Sequence, residues 1–214
     1  ININILNDSK SALMEACFLN RYNTIKFLLK KGINIHLKNY LGNTALIVTA
    51  QWGDIKTAKI LLNNGAKIKT KNETKCTPLI IASRYGKNKI IKILIKNGAK
   101  INARDKHGWS GLMYASFFGN YRTVKLLLKL GADPNFQTKS DKRFGGHQYG
   151  MTVGIGNSAL MLIYSSSYLI TRLEKKVRDR IGKLLINSGA DVNLKNKYGE
   201  TALIRASELA LVKS

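Results

Sequence analysis

The string Thr77-Pro78-Leu79-Ile80 and three strings similar to it recur along the sequence at a constant interval. The other three are Ser11-Ala12-Leu13-Met14, Thr44-Ala45-Leu46-Ile47 and Ser110-Gly111-Leu112-Met113. Each string begins 33 residues after the one before it, and the same 33-residue step separates four glycines: Gly32, Gly65, Gly98 and Gly131. Because two independent landmarks share one period, the sequence predicts an array of structural repeats.

Each 33-residue unit has the pattern of a helix pair. The Ser or Thr that opens each string is a favoured N-cap residue, because its side-chain oxygen accepts from unpaired backbone N–H groups. The apolar residues 79–82 predict a short first helix that ends near Gly86. Ile91, Leu94 and Ile95 stand at helical spacing and predict a second helix. The glycine that follows, such as Gly98, suits the left-handed position at a helix end.

This unit resembles the ankyrin repeat, which consists of a β-turn and two antiparallel helices. The resemblance implies an all-α ankyrin-repeat solenoid in which helix-turn-helix units are joined by β-turn or hairpin loops. The family's Thr-Pro-Leu-His stretch is present only as Thr77-Pro78-Leu79, and apolar residues replace its histidine in every unit. We therefore expect apolar packing to replace the inter-repeat hydrogen bonds that this histidine makes in the family. From the second unit onward, the residues at its position are Ile47, Ile80, Met113, Met161 and Ile204.

We expect one elongated domain over residues 1–214, with about five repeats and a partial sixth. The repeat bounds are about 1–38, 39–71, 72–104, 105–137, 138–195 and 196–214. The fifth repeat carries two insertions, since Ser158 follows Ser110 by 48 residues and Gly189 follows Ser158 by 31. The glycine-rich insertion at 138–156 predicts a flexible surface loop. The sixth repeat stops after one helix, so the array either continues beyond Ser214 or ends in a half-repeat.

The composition is that of a folded, strongly basic protein without a membrane-spanning segment. The formal charge is +24, and Lys outnumbers Arg 27 to 9. Such a field attracts nucleic acid, anionic lipid and acidic proteins alike. Lys, Asn and Ile are abundant together, which also follows from AT-rich coding DNA without selection for binding. Two cysteines, Cys17 as a core residue and Cys76 as a loop thiol, favour a reducing compartment such as the cytoplasm. Ankyrin arrays with this residue usage resemble proteins of intracellular bacteria, parasites and large viruses, so delivery into a host cell is an alternative.

The sequence offers few residues for catalysis or metal binding. Its histidines are His36 and His107 in predicted turns and His147 in the insertion, where His147 has no adjacent Cys, Asp or second His, and neither cysteine stands near His or Asp in a metal-ligand spacing. The glycines near His147 match neither a phosphate-binding loop nor a dinucleotide fingerprint. We therefore predict a non-catalytic protein without a cofactor or metal.

The repeat register instead predicts a protein-binding surface. In ankyrin arrays the turn tips and the exposed end of each first helix line a concave groove, and the resemblance assigns eleven residues of this chain to it. They are Tyr40, Leu41, Trp52, Arg84, Tyr85, Arg104, Lys106, His107, Trp109, Phe117 and Phe118. Interface hot spots favour Trp, Tyr and Arg, so we predict a protein partner, acidic in character, bound by a monomer. The alternative for individual aromatic residues, Phe118 above all, is that they fold back into the core.

A second surface is predicted on the outer helices. One lysine stands six residues before the final glycine of each full repeat, which gives the set Lys26, Lys59, Lys92, Lys125 and Lys183. This lysine column is either an ordinary solvated helix face or a binding surface for nucleic acid or anionic membrane, which is the alternative function.

Overall fold

The computed structural model describes residues 6–7, 10–144, 151–165 and 175–211, and divides the chain into two compact units, 1–103 and 104–214. Each unit is built from successive helix pairs with the predicted period, which confirms the ankyrin-repeat fold class. A single domain over 1–214 remains a prediction. No helix among the described residues is long and apolar enough to cross a membrane.

The first unit contains three helix pairs. It begins with a short antiparallel pair of strands, β1 (Leu6–Asn7) and β2 (Lys10–Ser11). The helices are α1 (Ala12–Phe18), α2 (Tyr22–Lys30), α3 (Ala45–Gln51), α4 (Ile55–Asn63), α5 (Pro78–Arg84) and α6 (Asn88–Lys96). The inner helices α1, α3 and α5 pack in sequence, and the outer helices α2, α4 and α6 pack behind them.

The second unit contains two helix pairs and a further inner helix. Its helices are α7 (Gly111–Phe117), α8 (Tyr121–Lys129), α9 (Ala159–Leu162), α10 (Lys175–Asn187) and α11 (Ala202–Leu211). Strands β3 (Lys142–Phe144) and β4 (Met151–Val153) pair antiparallel between α8 and α9. The inner helices α7, α9 and α11 pack in sequence, and α8 packs against α10.

The predicted N-caps begin five of the six inner helices among the described residues. In each of the five, the side-chain hydroxyl oxygen accepts a hydrogen bond from the backbone N–H three residues further on, at 3.2–3.4 Å, and the capping residues are Ser11, Thr77, Ser110, Ser158 and Thr201. Thr44 differs, because its buried Oγ1 makes no cap bond to α3. The glycine that ends each outer helix has a positive φ, +87° at Gly98, as the left-handed C-cap position requires.

Apolar side chains fill the position that the family histidine occupies, as the sequence predicted. Ile47, Ile80, Met113 and Met161 are each only 1% exposed. Ile204 is different, because 43% of its surface is exposed at the end of the second unit.

The prediction of a flexible loop over the insertion at 138–156 is wrong for its two arms, which form the β3–β4 hairpin. Thr138 fixes the base of this hairpin. Its Oγ1 donates to the Gly154 carbonyl at 2.9 Å and accepts from the Asn157 N–H at 3.0 Å. The arms are ordered because strand pairing satisfies their backbone groups. His147 lies outside the described residues.

Candidate functional site

Three aromatic rings lie side by side on the first unit, and we call Phe18, Trp52 and Tyr85 the aromatic row. The ring centroids of Phe18 and Trp52 are 5.8 Å apart, and those of Trp52 and Tyr85 are also 5.8 Å apart. Their exposed fractions are 38%, 51% and 38%. Leu19, which is 49% exposed, lies next to this row in the sequence. The first unit therefore presents a continuous run of large apolar side chains to solvent.

The row follows directly from the repeat geometry. Phe18 is the last residue of α1, while Trp52 and Tyr85 are the C-cap residues of α3 and α5. Each side chain thus leaves the helix where the chain turns away from the core, and the 33-residue period brings equivalent ends together. Sequence reasoning missed Phe18 and Leu19, although Leu19 stands 33 residues before Trp52 and Phe18 precedes it directly.

Polar contacts hold Tyr85 in place. The Gln51 Nε2 donates a hydrogen bond to the Tyr85 hydroxyl at 2.8 Å, which links the ends of α3 and α5. The Arg84 guanidinium lies 5.4 Å from the centre of the Tyr85 ring, within the range of a cation–π contact. Because these contacts restrict its side chain, Tyr85 has less rotamer freedom to lose when a partner binds.

Asparagine side chains fix the turn tips that precede α3 and α5. The Asn39 Oδ1 accepts from the backbone N–H groups of Leu41 and Asn43, at 3.1 and 2.9 Å. The Asn72 Nδ2 donates to the Asn43 Oδ1 at 3.0 Å and joins two successive turns. On this support Tyr40 and Leu41 are 71% and 47% exposed. The 33-residue step from Asn39 to Asn72 is the sequence pattern from which these hydrogen bonds could have been predicted.

Trp109 and Phe117 were predicted to be partner-binding residues, and this prediction is wrong. Trp109 is fully buried and Phe117 is 1% exposed. Trp109 precedes the N-cap Ser110 and packs against Tyr114 in the first turn of α7, with ring centroids 5.0 Å apart. This is the hydrophobic staple, in which the residue before an N-cap contacts the fourth helical residue. Phe117 lies one turn further along and contacts the same indole at 5.3 Å.

A buried carboxylate fixes this staple. The Asp105 Oδ1 accepts from the Trp109 backbone N–H at 2.9 Å, and the Oδ2 accepts from the Tyr114 hydroxyl at 2.7 Å. Trp109 is therefore part of the core of the second unit and is inaccessible to a partner.

The other predicted residues of the second unit are partly or fully exposed and make contacts of their own. The Phe118 ring packs edge-on against Phe117 at 5.1 Å and is half-buried. The Arg104 guanidinium lies 4.7 Å from the centre of the Phe136 ring. The His107 Nδ1 is 2.8 Å from the Ser140 Oγ, and Lys106 is exposed. The candidate site is therefore confined to the first unit, which contains the predicted residues Tyr40, Leu41, Trp52, Arg84 and Tyr85.

The first unit carries a strong positive charge. Residues 1–103 contain 18 Lys and Arg against four Asp and Glu. The Lys38 ammonium donates to the Lys71 carbonyl at 3.1 Å, and both lysines belong to the exposed turn segments. On the outer helices, Lys26, Lys59 and Lys92 of the lysine column are exposed.

The thiols of the first unit are buried. Burial raises the pKa of the Cys17 thiol to about 12, so it stays protonated and unreactive at neutral pH. Cys76, predicted to be a loop thiol, lies outside the helices and is also buried. Within the described residues, no group of three His, Cys, Asp or Glu side chains is arranged to hold a metal ion.

Comparisons with known proteins place this fold among repeat proteins. The family model for ankyrin repeats (3 copies) matches residues 1–72 and 68–138. The chain is similar to the solved structure of EF0377, an ankyrin repeat protein, with 26% identity and a TM-score of 0.74 over 94% of this chain and 93% of that chain. In all, 594 chains of solved structures match, so the fold by itself does not select a partner. A search of curated proteins gave no match.

Proposed function

Because the chain belongs to the ankyrin-repeat family, whose members are typically non-catalytic scaffolds that mediate protein–protein interaction, we propose that its first unit binds a protein partner. The proposed contact surface is the aromatic row and the turn tips at Tyr40 and Leu41. The observation that carries the proposal is the contact between Phe18, Trp52 and Tyr85 on an exposed surface.

An exposed cluster of this kind has a physical cost that a partner would remove. Apolar side chains that stay in contact with water gain no burial energy, and contiguous exposed patches mark interaction sites or aggregation risks. Trp and Tyr are also the commonest interface anchors, because they bury a large area and lose little rotamer entropy. The half-exposed Trp52, with a ring on either side of it, is the natural centre of such an interface.

The charge of the unit indicates the chemistry of the partner. With 18 basic residues against four acidic ones in residues 1–103, an acidic protein segment is attracted and a basic one is repelled. The side chain of Arg84 lies at the edge of the row and presents a planar donor group suited to a carboxylate. The proposed ligand is therefore an acidic segment that places at least one apolar side chain against Trp52.

The test is to identify a partner and then to measure its affinity for matched variants. The double variant Trp52→Ala with Tyr85→Ala removes two interface anchors, each worth about 2 kcal/mol in a hot spot. We expect the Kd to rise more than tenfold while the protein stays folded, as its far-UV circular dichroism spectrum reports. Tyr198→Ala is the matched control, because Tyr198 is 64% exposed but belongs to the second unit. Equal affinity of the double variant and the wild type would contradict the proposed site.

A second candidate function is association with nucleic acid or an anionic membrane through the lysine column. The observation that favours it is that Lys26, Lys59 and Lys92 are all exposed at the same register position of three successive outer helices. Lysines at such positions can neutralise phosphates and release counterions.

A further inference from the structure

The outer helices of the second unit contain arginine, which the outer helices of the first unit lack. Arg122 belongs to α8, and Arg178 and Arg180 belong to α10, whereas α2, α4 and α6 contain lysine and no arginine. A guanidinium differs from an ammonium because its planar fork binds two oxygens of one phosphate or carboxylate group. The charge on the outer face of the second unit is therefore of a kind that suits oxyanions.

Four exposed cations occupy two matched register positions on α8 and α10, and we call them the basic patch. Arg122 and Arg180 stand nine residues before the glycine that ends their helix, and Lys125 and Lys183 stand six residues before it. The two helices pack against each other, and the axes of packed helices are about 8–10 Å apart. Equivalent side chains of the two helices therefore lie side by side, which concentrates four positive charges in a small area.

An aromatic ring restricts one of the two guanidinium groups. The Arg180 Cζ lies 4.2 Å from the centre of the ring of Tyr121, the first residue of α8. The first unit contains the equivalent contact, since the Lys56 Nζ lies 4.2 Å from the centre of the Tyr22 ring. Because of this contact, Arg180 has less rotamer freedom to lose when an anion binds. The guanidinium also covers one face of Tyr121, so that face is closed to stacking by a nucleic-acid base.

These two equivalent contacts differ in the charge that lies next to them. In the first unit, the Asp54 carboxylate accepts a hydrogen bond from the Tyr22 hydroxyl and stands two residues before Lys56. The register equivalent of Asp54 in the second unit is Arg178, which stands two residues before Arg180 and is 4% exposed. An acid that weakens the positive field in the first unit is thus replaced by a base in the second.

We propose that the basic patch binds a compact polyphosphate, which is a small soluble molecule with several phosphate groups within about 10 Å of one another. The two arginines supply forked donors and the two lysines supply further positive charge. The acid of α8 and α10 is Asp179, which stands about 100° around α10 from Arg180. A compact ligand suits the patch better than a nucleic acid does, because the charges are clustered on two helices and the Tyr121 ring is covered.

This inference rests on the second candidate function, because Lys125 and Lys183 belong to the lysine column. It differs in the unit that binds and in the size of the ligand. The experiment therefore compares the second unit with the first at identical register positions.

The probe is inositol hexakisphosphate, titrated into the 214-residue protein by isothermal titration calorimetry at about 150 mM salt, where a general field is screened beyond about 8 Å. We expect saturable binding of one molecule per chain. The double variant Arg122→Gln with Arg180→Gln should raise the Kd more than tenfold. The matched control is Lys56→Gln with Lys89→Gln, which removes the same charge at the same register position of α4 and α6 and should retain full affinity.

Two single variants separate the chemistry of the patch from an effect on folding. Arg180→Lys keeps the charge but loses the fork, so its Kd should rise several-fold. Arg122→Gln leaves the contact between Arg180 and Tyr121 intact and should also bind more weakly. Both variants should give the far-UV circular dichroism spectrum of the wild type.

Four results would overturn the proposal. The wild type would not bind the probe saturably at this salt, or the two double variants would lose affinity equally. Duplex DNA at the same phosphate concentration would displace the probe, which would assign the patch to a nucleic acid. Phosphoinositide vesicles would bind more tightly than the soluble probe, which would assign it to a lipid headgroup. Replacing Lys26, Lys59 and Lys92 by Gln should leave binding of the probe unchanged, so this patch and the lysine column of the first unit can fail independently.

Discussion

The two tryptophans of the chain have opposite roles, and their positions relative to a helix end decide which role each has. Trp52 follows the last residue of α3, where the chain leaves the helix, and its ring is half-exposed. Trp109 precedes the N-cap of α7, and its ring turns back onto Tyr114 and Phe117. A helix C-cap thus presents its side chain to solvent here, while the residue before an N-cap contributes to the core.

This difference predicts unequal effects on stability. Trp109→Ala removes a fully buried aromatic ring and should lower the free energy of unfolding by about 3–5 kcal/mol. Trp52→Ala removes a half-exposed ring and its contacts with Phe18 and Tyr85, and should lower it by a smaller amount, about 1–2 kcal/mol. Urea unfolding followed by far-UV circular dichroism measures both. In each variant one tryptophan remains, so acrylamide should quench Trp52 readily and Trp109 weakly. Equal losses of stability would contradict the burial of Trp109.

At the scale of the element, the start of α4 is held by a carboxylate that also joins two repeats. Asp54 is the N-cap residue, and its Oδ1 accepts from the Thr57 N–H at 2.8 Å. Its Oδ2 accepts from the hydroxyl of Tyr22 at the start of α2. Burial raises the pKa of Asp54, but the hydrogen bonds from Thr57, Tyr22 and the Lys56 N–H outweigh it, and the pKa is lowered. The ionised form therefore stabilises the fold.

The sign of this shift sets a pH dependence. A carboxyl whose pKa is lower in the folded state contributes stability above its unfolded pKa of about 3.9, and this contribution is lost as the pH falls through the folded value. Asp54→Asn keeps an N-cap side chain but removes the charge. Above about pH 5, we expect this variant to melt below the wild type by a constant difference in temperature. Below about pH 4, this difference should shrink as the Asp54 carboxylate of the wild type is protonated.

The control is Tyr22→Phe, which deletes one of the donors that lower the pKa of Asp54. In that background, replacing Asp54 by Asn should give a smaller difference in melting temperature at neutral pH. The difference in melting temperature between the wild type and Asp54→Asn would contradict this account if it stayed constant from about pH 7 to about pH 3. The charge of the carboxylate would then not contribute to stability.

At the scale of the whole molecule, the 33-residue period predicted most of the fold. Because each repeat must bury its apolar face against its neighbours, the period fixes which helix positions enter the core. The same register correctly placed Trp52 and Tyr85 at exposed helix ends. It failed at Trp109, because the side chains of residues before an N-cap are directed by local staple contacts that differ between repeats. At this position the repeats of the first unit have Lys10, Asn43 and Cys76.

The insertion could not be predicted in the same way, since it has no counterpart in the other repeats. The β3–β4 hairpin depends on Thr138 bonding to Gly154 and Asn157, a contact that spans the inserted residues themselves.

The net charge predicts a salt dependence that distinguishes the two candidate functions, which are binding of an acidic protein and binding of nucleic acid or an anionic membrane. The protein's net charge of +24 attracts polyanions over long distances at low ionic strength. At physiological ionic strength, salt screens this attraction beyond about 8 Å. We expect duplex DNA, single-stranded RNA and anionic vesicles to bind at low salt and to dissociate near about 150 mM, without sequence preference. Replacing Lys26, Lys59 and Lys92 by Gln should make the slope of log K against log salt shallower by roughly 0.9 for each phosphate that is no longer neutralised.

The matched control replaces Lys67, Lys69 and Lys71, three exposed lysines of one turn segment, and changes the net charge by the same amount. If only the total net charge matters, the two triple variants should lose binding to polyanions equally at low salt. Neither variant should then change the affinity for a protein partner held by the aromatic row at physiological salt. The opposite result would be a polyanion that still binds at physiological salt and is released only when Lys26, Lys59 and Lys92 are replaced. In that case the lysine column would be the functional surface. That result would replace the acidic protein partner with a phosphate-bearing one, because a specific site survives the screening that removes a general field.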